Sequence, residues 1–417
     1  MKPFMLLNLV IPWFGNANGG AEVYAAGFAR AMGRAGHQVR VLSTCCPDPF
    51  HPWGENVLPP GISEFATGVE LHRFPVRKRD AATFAMLYRS MEDQGTLSRD
   101  DAEEFFSHSI SSAALEDWLG DQPWDGLTIF MPYLYGTSIF GSRRLPRDRV
   151  VLLPCLHNEA AAYTEPVARM FARSAGVLFL SDGERDLARA LYGLADTPQA
   201  VIGGGIEWDT PVDPQRFRTK YQIGDGPYLL GVGRKVPLKG QQLLLELYRR
   251  WLEKGPGLPA AMPVPRLVLV GSGDLDIPPS LAGKVLSLSG ASDQDVQDAT
   301  AGCEIFLHPS FVESFSLVMM QAWSRSRPVI VNGECEVTLQ HVRRSGGGWS
   351  YSSLEQFIQG VETLLGNDQL SVEMGNAGRR YVEERCHWGG VANRATGLLE
   401  QVMDRAKPWR IPLGSPA

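Results

Sequence analysis

A chain of 417 residues exceeds what one hydrophobic core usually organises, so two domains are expected. With 44% hydrophobic and 21% charged residues it has the make-up of a folded globular protein, which excludes a disordered or fibrous chain. The formal charge of −6, carried by the first half, argues against a nucleic-acid partner and leaves at most weak peripheral membrane contact.

The leading stretch MKPFMLLNLVIPWF lacks the long apolar core and small-residue cleavage site of a signal peptide, and reads as a buried strand over 4–12. No run of eighteen apolar residues follows anywhere, so no membrane span is expected and the chain reads as cytoplasmic. The six cysteines form no C-x-x-C pair and no zinc spacing, which suits reduced, buried thiols.

From the first strand onward, short apolar runs alternate with amphipathic stretches, the pattern of strand–helix repeats on a parallel sheet. A helix is predicted over 21–35, a strand over 37–43, and further strands at 126–131, 150–154 and 176–181. The segment Glu92–Asp125 holds ten acidic residues and reads as solvated helices and loops rather than core. Around 205–226, the Pro, Gly and charge of TPVDPQRFRTKYQIGDGP have a linker's composition. A second series then begins with YLLGVG near Tyr228 and a helix over 241–253. It continues through RLVLVGSGD, KVLSLSG, EIFLHPS and PVIVN as strands. Two similar α/β halves are expected, divided as 1–210 and 211–385, with a closing segment over 386–417.

Ligands of doubly wound sheets bind at the carboxyl ends of the strands, and the loops there hold the candidate residues. Gly19 and Gly20 follow the first strand and precede a helix, where the backbone can approach an anion closely; an ordinary strand–helix turn would look the same. Gly233 ends YLLGVG and leads into Arg234 and Lys239. Two cations in a glycine-bracketed loop suit a diphosphate, arginine as a planar fork and lysine as a compact charge. The stretch HPSFVESFSLVMMQAW places a serine-rich turn before a helix predicted from Leu317 to Trp323, whose first amides suit phosphate oxygens. Glu313, just before that helix, does not favour a phosphate and suits the hydroxyls of a sugar. His157 follows VVLLPCL in the triplet HNE, where it can hydrogen-bond a sugar or position a proton. Glu159 in the same triplet reads equally well as a helix-start acid.

Together these residues resemble the retaining glycosyltransferases of the GT-B fold, and specifically family 4, the glycosyl transferases group 1. The likeness rests on GGAE at 19–22, Arg234 with Lys239, PSFVESFSLVMMQAW at 309–323 and EERCHW at 383–388. It is specific over 226–390. In the first half it is patchier and is carried by GGAE, LHNEA and FLSDGERDLARALYG.

The resemblance implies an α/β chain with two Rossmann-like domains facing across a deep cleft. The first would bind the acceptor and the second the nucleotide-sugar donor, with a C-terminal helix crossing back. It also implies roles for single positions. Gly19 and Gly20 would approach the donor diphosphate, while Arg234 and Lys239 neutralise it and the charge growing on the leaving group. Glu313 would hold donor-sugar hydroxyls, His157 would contact the same sugar, and the segment Ser314, Phe315, Ser316, Leu317 would offer amides to the phosphate.

The family's second glutamate falls at Gln321, which keeps one acceptor oxygen for a ribose hydroxyl but not the charge. Retention of anomeric configuration without a metal ion is implied, Arg234 and Lys239 taking the cation's place. No cofactor is implied beyond the nucleotide sugar as co-substrate, with UDP slightly favoured over GDP. The acceptor, whether a sugar, a lipid-linked or a small molecule, is not identified. The rival from another class is a non-catalytic subunit that binds nucleotide sugar beside another transferase, and Gln321 is the feature favouring it.

Overall fold

The computed structural model describes residues 4–15, 19–121, 126–208 and 210–406. Residues 1–3 of the leading run, 16–18, 122–125 of the acidic segment, residue 209 and the tail 407–417 lie outside the described residues. The chain divides into two compact units, Met1–Gly203 with Trp388–Ala417, and Gly204–His387.

In the first unit the apolar run LLNLV forms β1 (Leu6–Val10), buried as a strand covered on both faces must be. Among the described residues it is joined by β2 (Gln38–Thr44), β3 (Gly61–Ala66), β4 (Val69–Phe74), β5 (Leu127–Phe130), β6 (Val150–Leu152), β7 (Gly176–Phe179) and β8 (Gln199–Val201). The sheet order is β3-β4-β2-β1-β5-β6-β7-β8, parallel except where β3 runs against β4. Chain order reverses across β1, which lies between β2 and β5. In open α/β sheets that is where the loops at the strands' carboxyl ends splay to admit ligands.

The acidic segment differs from its predicted character. The helix Ala81–Gln94 runs into it, and the helices Arg99–Ser107 and Ala113–Asp121 within it bury Phe105, Phe106, Leu115 and Leu119 in the unit's core. Four such side chains at about 1.5–3 kcal/mol each outweigh the small cost of holding an acidic face in water. Ser98 caps the second of these helices by accepting from the Asp101 N–H, and Asp100 and Asp101 sit in its first turn, where negative charge is favourable.

The second unit has its own sheet. Its strands are β9 (Tyr228–Val232), β10 (Arg266–Val270), β11 (Val285–Leu288), β12 (Ile305–His308), β13 (Val329–Asn332) and β14 (Gly348–Tyr351). They are parallel and ordered β11-β10-β9-β12-β13-β14, so β9 and β12 are direct neighbours.

The stretch read as linker is ordered in this unit. Asp213 caps a helix over Pro214–Lys220 with proline at its first position, and Phe217 is fully buried. Arg216 and Lys220 bind Asp298 and Asp295 of the helix Asp293–Gly302. Linker composition and a short capped helix draw on the same residues, and here a buried aromatic and two ion pairs decide between them.

The helix Trp388–Arg405 belongs to the first unit. Trp388 packs so closely on Gly27 of the helix Gly20–Arg34 that a Cβ there would come within 2.0 Å of the indole. His37 Nε2 meets Thr396 Oγ1 at 2.9 Å, and Arg394 donates to the Ile202 carbonyl. All six cysteines are buried. Among the described residues no helix is long and apolar enough to cross a membrane.

Candidate functional site

In the second unit the loop after β9 and the turn after β12 are locked together. Gly240 has φ +67, and a Cβ on it would lie 2.2 Å from the Pro309 carbonyl oxygen, so only glycine fits. The Phe311 N–H donates to the Leu238 carbonyl at 2.9 Å. Gly233 donates to the Val270 carbonyl at 2.9 Å, which ties the start of the same loop to β10.

The structure brings Lys239 and Glu313 together. Lys239 Nζ donates to Glu313 Oε1 at 2.8 Å and to the Val312 carbonyl at 3.2 Å, with the two side chains 18% and 14% exposed. The sequence suggested separate partners for them, a phosphate and a sugar. They are partners of each other, and an ammonium already oriented by a carboxylate and a carbonyl needs little reorganisation to meet an anion. Arg234 is exposed in the same loop.

The turn after β12 carries a residue that the sequence reading passed over. His308, the last residue of the strand, is buried, and its Nε2 lies 2.5 Å from Ser316 Oγ and 3.6 Å from Glu313 Oε1. Burial pulls its pKa down to about 4; the nearby Glu313 carboxylate opposes that shift and the Lys239 ammonium adds to it. The imidazole is therefore neutral near pH 7.

Ser316 has φ +73, a left-handed conformation that costs a non-glycine residue energy and persists only where surroundings enforce it. Here the His308 contact holds its hydroxyl. Ser316 consequently does not cap the helix Leu317–Ser324 with its side chain. Ser314 is half-buried in the turn. The Phe315 ring is buried against Gly204 and the edge of His341, so of this residue only the amide suits a ligand. Gln321 is half-buried on the same helix, one turn after Leu317. The spacing Asp-x-Asp occurs at 274–276 and 293–295, but Asp295 is committed to Lys220 and to the Ser292 hydroxyl and amide.

In the first unit, Gly19 precedes the helix Gly20–Arg34 with no side-chain cap, and the Glu22 carboxylate folds over it. A Cβ on Gly19 would lie 2.0 Å from Glu22 Oε2, whereas one on Gly20 would meet nothing within 4 Å. A side chain at Gly19 would have to displace the Glu22 carboxylate, and Gly20 leaves its backbone approachable.

His157 is half-buried in the loop after β6, its Nδ1 3.4 Å from Glu159 Oε1. That same oxygen accepts from the Tyr133 hydroxyl at 2.8 Å, so Glu159 faces this cluster rather than serving only as a helix-start acid. Glu184 holds the loop in place. It is fully buried and accepts from the Leu156 N–H at 2.7 Å and the Leu180 N–H at 2.6 Å. Burial pushes its pKa up to about 8, and the N–H bonds pull against that shift. A Ser-x-x-Glu capping pattern at 181–184 was the sequence signal available for Glu184.

Residues 213–381 match the family Glycosyl transferases group 1, and residues 19–205 match the Glycosyl transferase 4-like domain. A GDP-mannose-dependent alpha-(1-6)-phosphatidylinositol monomannoside mannosyltransferase of Mycobacterium tuberculosis is 25% identical over 259 residues, covering 56% of this chain and 65% of that relative's length. An uncharacterized glycosyltransferase of Methanocaldococcus jannaschii is 21% identical over 93% of this chain and 95% of its own length. In fold, the sucrose-phosphate synthase of Thermosynechococcus elongatus superposes with a TM-score of 0.68 at 16% identity, over 96% of this chain and 99% of that one. The paired parallel sheets and the two matched segments agree, and the chain belongs to the glycosyl transferases group 1, the family 4 enzymes of the GT-B fold.

Proposed function

We propose that the chain moves a sugar from a nucleotide-diphosphate donor to a hydroxyl acceptor, with retention at the anomeric carbon and without a metal ion. The observation that carries this reading is the Lys239–Glu313 pair at 2.8 Å, which sets a cation and a carboxylate side by side at the carboxyl ends of β9 and β12. Lys239 and the exposed Arg234 neutralise the diphosphate and the charge that grows on it as the bond to C1 breaks. The amides from Ser316 onward, left without a side-chain cap, take phosphate oxygens. Glu313 holds hydroxyls of the donor sugar, and Gln321 accepts from the ribose.

The acceptor oxygen bonds to C1 on the face the nucleotide leaves, and its proton goes to the departing phosphate. No side chain need act as nucleophile. The donor base is UDP or GDP, the acceptor belongs to polysaccharide or glycoconjugate synthesis, and the enzyme works in the cytoplasm. The binding-subunit reading is not favoured, because Lys239 and Glu313 are both present and paired. Incubation with a panel of UDP- and GDP-sugars, reading release of free nucleotide, tests the proposal. Turnover of one donor is expected, and nucleotide binding with no turnover of any donor would leave the binding-subunit reading in its place.

A further inference from the structure

Much of the turn between β12 and the helix Leu317–Ser324 is fixed by direct contacts. At its start the Asn332 side-chain amide donates to the Pro309 carbonyl at 3.3 Å, and the Ser310 hydroxyl donates to the Val312 carbonyl at 3.0 Å. Lys239 donates to the same Val312 carbonyl. Further on, the buried Phe315 ring is wedged in place. A Cβ on Gly204 would come within 2.3 Å of it, and His341 stands edge-on at 5.3 Å, its Nδ1 2.8 Å from the Tyr381 hydroxyl.

Ser316 is where the chain turns from that inward-facing ring into the first helical turn. It does so at φ +73 and ψ +80, a region that costs a residue with a Cβ about tenfold in population. The Ser316 carbonyl accepts the first helical bond, from the Met320 N–H at 3.3 Å. In one planar peptide unit the following N–H points the opposite way, so the Leu317 amide is aimed out of the helix start by the dihedrals of Ser316.

The Ser316 hydroxyl holds those dihedrals. Its oxygen lies 2.5 Å from His308 Nε2, and the two residues are 6% and 4% exposed. β12, which ends at His308, is paired on one side with β9 and on the other with β13, so the imidazole stands on a rigid element. Near pH 7 the ring is neutral and does not compete with the Lys239 ammonium for Glu313.

We propose that His308 is a positioning residue for the donor diphosphate: by holding the Ser316 hydroxyl it keeps the backbone left-handed at 316 and aims the Leu317 amide at the phosphate. This rests on the proposed reading of the turn as the phosphate site. Glycine takes the same dihedrals at no cost and with no partner, so the dependence on His308 must vanish when residue 316 is glycine. A histidine that merely fills the core would show no such rescue.

Calorimetric titration of the full chain with UDP and GDP tests it, with thermal melts of each sample to confirm folding. His308→Leu and Ser316→Ala should each weaken the nucleotide that the wild type binds by about tenfold. Ser316→Gly should bind it more tightly than Ser316→Ala, and adding His308→Leu to Ser316→Gly should cost no more than about twofold. An equal loss from His308→Leu in both backgrounds, wild-type affinity in Ser316→Ala, or Ser316→Gly no tighter than Ser316→Ala would overturn the inference. If His308→Leu does not fold, the two Ser316 variants decide it together with His308→Gln, whose amide reaches the hydroxyl and should lose less affinity than Ser316→Ala. A wild type that binds neither nucleotide removes the transferase reading and this inference with it, whereas nucleotide binding indifferent to both residues removes this inference alone.

Discussion

Replacing Lys239 by alanine should do more than delete a cation, because the structure gives that cation a carboxylate partner at 2.8 Å. Exposed ion pairs contribute about 0–1 kcal/mol and breaking a fully buried one costs about 3–5 kcal/mol. With side chains 18% and 14% exposed, the loss lies between, about 2 kcal/mol of stability in the second unit. On the proposed chemistry the same substitution removes a charge that acts most strongly in the transition state, about 3 kcal/mol or roughly a hundredfold in turnover. It also strands the Glu313 carboxylate beside the donor diphosphate. Adding Glu313→Gln relieves that repulsion, so the double variant should turn over no more slowly than Lys239→Ala alone, although Glu313→Gln by itself is impaired. Nucleotide release at saturating donor measures the rates, and thermal melts of the same samples report stability. Effects that simply multiply would show that the pair does not act as a unit. Turnover within about threefold of wild type in Lys239→Ala would remove Lys239 from the diphosphate altogether.

Three further outcomes are expected. His308 is held at about 4, below its ordinary 6.5, so between those values the unfolded chain binds a proton that the folded one refuses. Its contribution is therefore complete above pH 6.5 and lost as pH falls through 4, a change of about 3 kcal/mol. Thermal melts from pH 7 to 4 should show it, and an unchanged slope in His308→Gln would refute it. Gln321→Glu restores a charge-assisted ribose acceptor but adds repulsion toward the diphosphate, so calorimetric affinity for UDP or GDP should stay within about tenfold of wild type. Gln321→Ala should weaken it several-fold, and unaltered affinity would place the ribose elsewhere. Chelation with EDTA should leave turnover largely intact, and a complete loss restored by manganese would contradict metal-independent transfer.

Much of this was legible in the sequence where one physical signal dominated. LLNLV, YLLGVG and EIFLHPS announced buried parallel strands because both faces are covered and nearly every position is apolar. β3 escaped because GISEFA is an exposed strand at the sheet's edge, with no apolar run to mark it. The buried face of the helices Arg99–Ser107 and Ala113–Asp121 escaped, although helices were expected there, because their acidic faces hid an apolar stripe of helical period. In the site, residue types in the loops suggested Lys239 and Glu313 separately. Their pairing depends on β12 lying beside β9, a long-range adjacency across 74 residues that no local pattern encodes. His308 and Glu184 were missed for a related reason: each acts on a backbone or hydroxyl group brought near only by the fold.

The central claim is retaining transfer from a nucleotide-sugar donor, and the anomer first released tests it most directly. With an α-linked UDP- or GDP-sugar that the chain turns over slowly with water as acceptor, proton NMR in the first minutes, before mutarotation, reads the anomeric signal of the free sugar. The account predicts the α-anomer appearing first, together with free nucleotide diphosphate. Initial release of the β-anomer would contradict it.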